Sequence, residues 1–378
     1  TMKPDLVPAS SVATTTDARI LRNALNAADR YDWAEVRTLE GQARDEIVRE
    51  LIRWFRGRGG DPAMSFDELS RLLREQADWP LMSTAQVRAE EEIGNSALSF
   101  EQRIEWFSTV GGPISGDGRL ALAEAYRRTG DPAKAFEVIR EAWHGNTLSN
   151  EQTQAVIDQY GSQLTQEDHQ KRADFLLWSN QRTAATRLKS YVGSDYAKLI
   201  DARYRLQARA AGVDAAVDAV PASLQSNPGL LFDRAQWRRR AGQARSNYVS
   251  LLTQIDGADI PEAGRNELWN ARHGLIRTML KERDFQTAYA LAANHGLSSG
   301  NNFAEAAWVA GWTALRHLNQ PDMAMKHFKD LEANSSTPIS QARALYWQGR
   351  AFEAKGDNGA ALQKYEQAAQ YPYVYYGQ

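Results

Sequence analysis

Apolar residues recur three and four positions apart along most of the chain, and short polar or glycine-containing breaks separate the runs. The pattern is cleanest near residues 340–372. Ala344, Trp347 and Ala351 fall on one stripe, with Leu345 and Phe352 beside it, the spacing of an amphipathic helix. Ser340 is the expected cap of that helix. Gly356 suits the left-handed position that closes a helix, and Asp357 can cap the next one. The following run places Ala361, Leu362, Tyr365, Ala368 and Ala369 on a common face, and Pro372 ends it. From about Thr16 to Gln370 the same alternation of helix and short break continues. Runs of β-branched residues with strict alternation are missing, so the pattern predicts an all-α protein.

The breaks are chemically clear: Gly57 to Pro62, Gly111 to Gly118, Gly130-Asp131-Pro132, Ser226-Asn227-Pro228 and Gly356-Asp357. Breaks this short favour helical hairpins. Two of them share a detailed pattern. Tyr126 and Phe352 each precede a turn glycine by four residues, and Asp follows the glycine. Alanines then lie five residues on (Ala135, Ala361) and twelve on (Ala142, Ala368). Weaker echoes occur at Asp284 with Ala288 and at Pro321-Asp322 with Ala324. Small residues at such offsets let helices approach closely, as in tetratricopeptide-like repeats, although no steady 34-residue period runs through the chain. The expected fold is therefore an α-solenoid of helical hairpins. Its expected divisions are a flexible lead-in over residues 1–16, an N-terminal helical region over 17–165 and a hairpin region over 166–378.

Composition narrows the classes. Hydrophobic residues make up 43% of the chain and charged residues 24%, which suits a packed protein rather than a disordered one. No run approaches the roughly 18 apolar residues of a membrane helix. A net charge of -2 supplies no global field for nucleic acid. Cysteine is absent, which excludes disulfides, thiolate zinc sites and thiol catalysis, and is compatible with an oxidising compartment. Thr1-Met2-Lys3-Pro4 carries no charged-then-apolar signal segment.

Candidate chemistry is sparse. The 47 acidic residues are spread along helices, and none stands in an apolar, loop-flanked setting that marks a proton donor, so no catalytic carboxylate is nominated. Glu90, Glu91 and Glu92 read as a solvated helix face. None of the six histidines makes the i, i+4 pair of a helical metal site; no metal ligand and no cofactor is expected. Gly112-Pro113-Ile114-Ser115-Gly116 lacks the spacing of a serine elbow, and Gly57 to Gly60 lacks the Lys-Ser/Thr of a phosphate loop. Eleven tryptophans, spread along the chain, suit packing between hairpins or stacking on sugars. Arg234, Arg238, Arg239, Arg240 and Arg245 surround Trp237. Arg234, Trp237 and Arg238 form a candidate polymer-binding face, with a solvated helix face as the alternative. Arg53, Arg56 and Arg58 pose the same choice on a smaller scale.

Longer strings carry a family resemblance. Thr287 to Ala292, His295-Gly296-Leu297, Phe303 to Ala306, Ala310-Gly311-Trp312, Ser336 to Ser340, Ala344 to Ala351, Ala368 to Pro372 and Tyr375 to Gln378 resemble the superhelical region of the soluble lytic murein transglycosylases. Ala173 to Trp178 and Leu230 to Arg239 resemble it too. The likeness covers residues 165–378 well and the earlier part by helical character alone.

The resemblance implies a curved, ring-like or horseshoe superhelix followed by a lysozyme-like catalytic domain. It further implies a periplasmic parent enzyme that cleaves MurNAc-GlcNAc bonds and leaves 1,6-anhydro sugars. The family's Glu-Ser and Gly-Leu-Met-Gln strings do not occur in this sequence, so no catalytic residue is transferred. The expected role is a non-catalytic scaffold whose partners are peptidoglycan glycan strands, the catalytic domain and other cell-wall proteins, with Tyr375 and Tyr376 in an interdomain contact. The alternatives are a tetratricopeptide-like adaptor for a protein partner and a catalytically silent regulator that binds peptidoglycan.

Overall fold

A computed structural model describes residues 13–378 of the chain. Among the described residues there are twenty-one α-helices, four short 3₁₀ turns and no strand. The fold is all-α. Most of the expected lead-in lies outside the described residues, and the first helix, Thr15–Ala28, begins inside its expected span, capped by the Thr14 hydroxyl. The chain divides into two compact units, one ending at Leu164 and the other running Thr165–Gln378.

The helices are joined by a recurring turn. At Gly130 and Gly356 the backbone enters the left-handed region, with φ of 89° and 81°. The Asp131 and Asp357 amides then reach back to the Tyr126 and Phe352 carbonyls at 2.8 and 3.0 Å, closing the preceding helix. Their carboxylates accept from the Lys134 and Ala360 amides and start the next one. The same joint forms without glycine. Tyr31 and Arg283 adopt φ of 59° and 63°, and Asp32 and Asp284 cap the helices that follow. A side chain in that region costs about 1 kcal/mol or more, so the cap and the packing beyond it must offset the strain.

Between the joints, alanine marks the line of contact. Ala135, Ala142, Ala288, Ala324, Ala361 and Ala368 are all buried. The last helix, Asn358–Ala368, buries Ala361 and Ala368 with Tyr365 half-buried between them, whereas Leu362 and Ala369 face solvent. The expected common face was too wide: only the i, i+4, i+7 stripe is covered. The cap of Pro338–Ala354 is Thr337, whose hydroxyl accepts from the Ser340 amide, and Ser340 itself lies buried in the first turn. Pro338 takes the first helical position, so the cap falls on Thr337, three residues before the expected Ser340.

Mid-helix glycines serve a different purpose. Gly311, in Gly300–Arg316, faces the Phe328 ring, and Gly349, in Pro338–Ala354, faces the Tyr365 ring; a Cβ at either position would overlap the ring. The glycine costs about 0.5–1 kcal/mol of helix propensity, and the close ring contact compensates. All eleven tryptophans are buried or half-buried, with Trp143 and Trp269 fully buried.

Two kinds of glycine should therefore respond differently to alanine. Gly356→Ala meets open space and adds only backbone strain, so it should lower the unfolding free energy by about 1 kcal/mol. Gly349→Ala overpacks the Tyr365 contact and should cost about 1–3 kcal/mol. Urea denaturation of the two variants checks the order; equal losses would contradict it.

Candidate functional site

A buried polar cluster of the second unit lies where Gln166–Trp178, Ser194–Ala208 and Pro228–Arg240 meet. Leu199, Ala202 and Leu206 line the buried face of Ser194–Ala208, and Arg203 shares that face with them. Arg203 is fully buried. Its Nη1 donates to Asp174 Oδ1 at 2.5 Å and its Nε to Asp233 Oδ2 at 2.7 Å. Gln207 Nε2 adds bonds to both Asp233 oxygens at 3.0 Å and to the Leu177 carbonyl at 3.2 Å. The guanidinium lies 5.4 Å from the Trp178 ring centroid, and the Trp178 ring meets Phe232 at 4.7 Å. Gly229 lies directly against the guanidinium, and Gly264 against the Trp178 ring; neither position has room for a Cβ.

One cation facing two carboxylates leaves an excess of buried negative charge. Burial pushes both Asp174 and Asp233 above the usual carboxylate range, against the pull of Arg203. Burial alone would lower Arg203, but the two aspartates hold it above its ordinary value, so it stays charged. Both acids lie within helices and pair with Arg203, and the sequence did not single them out.

The candidate face seen in the sequence lies on the same helix, Pro228–Arg240, but is less open than its composition suggests. Trp237 packs on the cluster of Leu199, Leu206, Val213 and Leu230. Arg238 Nη1 donates to the Asn247 carbonyl at 2.8 Å, and Arg234 Nη1 approaches Gln225 Oε1 at 3.5 Å. Arg234 is depressed by burial and then by the nearby charge of Arg238. Arg239, Arg240 and Arg245 are exposed. At the other candidate contact, Tyr376 packs against Tyr346 at 5.6 Å and beneath Arg343, while Tyr375 is 81% exposed.

The first unit has ion clusters of its own. Arg56 is buried and bonds Asp61 at 2.8 Å and Glu40 at 2.7 Å. Burial would raise the Asp61 carboxyl, but Arg56 and the Ala63 amide bring it below its ordinary value. Arg53 pairs with Glu40, and Arg58 lies over the Trp54 and Phe55 rings. Glu90 departs from the expected solvated face: it is 1% exposed and accepts from the Ile114 and Ser115 amides at 2.9 and 2.8 Å. The glycine-rich stretch around Ser115 is thus a loop gripped by a carboxylate.

The second unit also buries two basic groups whose protonation burial disfavours. Arg272 donates to the carbonyls of Leu252, Ile255 and Asn294 and is pushed down to about 10 by burial. His295 is pushed down to about 4, chiefly by burial and then by the nearby His327. Its Nδ1 accepts from the Leu297 amide at 3.0 Å, which fixes it as an acceptor on that nitrogen.

Among the described residues no group of three or more His, Cys, Asp or Glu side chains is placed to hold a metal ion. Among those residues no helix is long and apolar enough to cross a membrane. Together these features define an all-helical protein whose buried ion clusters tie neighbouring helices and whose polar clefts lie between them. Among solved structures it is similar to the 70 kDa soluble lytic transglycosylase SLT70 from Escherichia coli, over 95% of this chain and 73% of that one, at 10% sequence identity and a TM-score of 0.40. At that identity and score the likeness transfers no role. No family model and no curated protein matches the sequence.

Removing the shared cation should be costly. Arg203→Met leaves two buried carboxylates facing each other and should lower the unfolding free energy by about 3–5 kcal/mol; adding Asp174→Asn and Asp233→Asn should restore part of it. Urea denaturation of the series decides, and full additivity of the changes would refute the coupling.

Acid should weaken the fold through His295. The unfolded imidazole binds its proton near pH 6.5 and the folded one only near 4. Between those values the unfolded chain holds the extra proton, so stability falls as pH drops through the window. Asp174 and Asp233, raised in the folded chain, act in the opposite sense, so the comparison must be with His295→Asn. The loss between pH 7 and pH 5 should be about 2 kcal/mol greater in the wild type than in that variant. An identical pH dependence of the urea midpoints would remove His295 as the cause.

Proposed function

We propose that this chain is a non-catalytic helical scaffold of a peptidoglycan lytic transglycosylase, acting in the periplasm. In this reading it positions glycan strands for a catalytic domain of the same protein. The observation that carries it is the set of strings between Trp269 and Gln378 that resemble the superhelical region of the soluble lytic murein transglycosylases. The helical hairpins suit such a region, and the family's Glu-Ser and Gly-Leu-Met-Gln strings do not occur in this sequence. A tetratricopeptide-like stacking of the hairpins into a curved superhelix belongs to the same reading.

Arg234 and Arg238 are the proposed glycan contacts, since planar guanidinium groups reach hydroxyls and carboxylates together. Trp237 holds their helix against its neighbours. The exposed Tyr375 and the packed Tyr376 form the proposed contact with the catalytic domain, because a large aromatic surface is ordinarily covered by a partner.

Sedimentation with purified sacculi tests the reading. The chain should sediment with them, Arg234→Ala with Arg238→Ala should weaken the association several-fold, and no anhydro-muropeptides should be released by this chain alone. Release of anhydro products, or a wild-type chain that stays in the supernatant, would refute it.

A further inference from the structure

Two connections of the second unit meet backbone to backbone. One is the short turn Gly257–Asp259, ahead of Glu262–Lys281. The other is the loop 294–299, which joins Phe285–Ala293 to Gly300–Arg316. A Cβ on Gly257 would overlap the His295 carbonyl, and one on Gly296 would overlap the carbonyl of Gly257. Across this seam the Gly257 amide donates to the Asn294 carbonyl at 3.0 Å. The buried Arg272 spans it too, donating to the Leu252 and Ile255 carbonyls on one side and to the Asn294 carbonyl on the other.

His295 folds the loop back on itself. It is 6% exposed, its Nδ1 accepts from the Leu297 amide at 3.0 Å, and its ring meets Phe303 edge-on at 5.8 Å. Leu297 in turn packs on the cluster of Phe303, Ala304, Ala307 and Leu331. This arrangement holds only while the imidazole is neutral. A second proton would sit on Nδ1 and point at the Leu297 N–H, donor against donor. The new charge would also lie buried among like charges, Arg272 from Glu262–Lys281 and His327 from Pro321–Asn334, while Gly300–Arg316 offers it the apolar Phe303. Asp256 and Asp330 face it with the opposite sign, but both are exposed, where water and salt weaken their pull.

We propose that His295 is an acid-released latch: its protonation frees the loop 294–299 from the Gly257 turn and uncovers the apolar surface of Leu297 and Phe303, while the helices around the seam stay folded. The Gly257–Gly296 contact suits such a parting, because no side chain interlocks across it.

Residue-resolved amide exchange of the chain at pH 7 and pH 5 tests it, each amide's protection being taken relative to its intrinsic rate. The reporters are the Leu297 amide, held by His295, and the Gly257 amide, held by Asn294; the controls are the amides of Leu199 and Leu206, buried within Ser194–Ala208. The closed ring is pushed down to about 4 from an ordinary 6.5, first by burial and then by His327. Falling pH between those values therefore favours the open loop, and protection of both reporters should drop about twentyfold between pH 7 and pH 5 while the controls keep theirs. In His295→Asn the side-chain oxygen can accept from the amide two residues on and takes up no proton at pH 5, so its reporters should be protected equally at both pH values. Unchanged reporter protection in the wild type overturns the latch. So does a loss that Leu199 and Leu206 share equally, which would mark unfolding of the whole unit, or an acid loss that persists in folded His295→Asn. The wild-type comparison decides by itself where that variant does not fold.

Discussion

Helix pairs in this protein come so close that several positions cannot carry a Cβ. Gly57 meets Leu72, Gly311 meets Phe328, Gly349 meets Tyr365 and Gly264 meets Trp178, each inside a helix. Packing at that distance lets one large side chain cover the whole face of its neighbour, and dispersion contacts accumulate over the ring. It also fixes register. Sliding a helix by one residue would bring a side chain where only hydrogen fits. The alanine stripes extend the same constraint with one methyl group of additional room.

The buried charges follow from that closeness. Gly229 admits the Arg203 guanidinium between helices of the second unit, where it is fully buried and bonds to Asp174 and Asp233. Gly118 similarly admits the Glu90 carboxylate, which then holds the Ile114 and Ser115 amides. A long charged side chain taken so deep has to be met by specific partners, because an unpaired one costs several kcal/mol. The ion clusters therefore specify which helices pair more than they add to stability. Arg272 solves the same problem without a carboxylate, using three carbonyls at the ends of neighbouring segments.

Much of this architecture was legible from residue spacing. The turn at Gly356 with its Asp357 cap, the buried Ala135, Ala142, Ala361 and Ala368, and the all-helical character follow from local chemistry that tertiary packing does not override. The joint at Tyr31 was hidden because its left-handed residue is not a glycine, and at Arg283 the same lack left only the weaker echo of Asp284 with Ala288. The polar cluster was hidden for another reason. Arg203 and Asp233 look like solvated charges in a one-dimensional reading, and only their positions betray them. Arg203 falls four residues after Leu199 and Asp233 three after Leu230, each on a stripe reserved for apolar residues. Glu90 carries the same mark, one residue after the buried Ala89 and three before the buried Ile93. Partners in distant segments make such charges tolerable, and spacing within one helix cannot supply them.

The side chains around this cluster are held from more than one side. Gly264 presses on one part of the Trp178 ring, Phe232 packs beside it, and Arg203 lies within cation–π range. Gln207 is likewise held, since its amide nitrogen is committed to Asp233 and to the Leu177 carbonyl. Packing on several sides therefore holds both side chains in one arrangement.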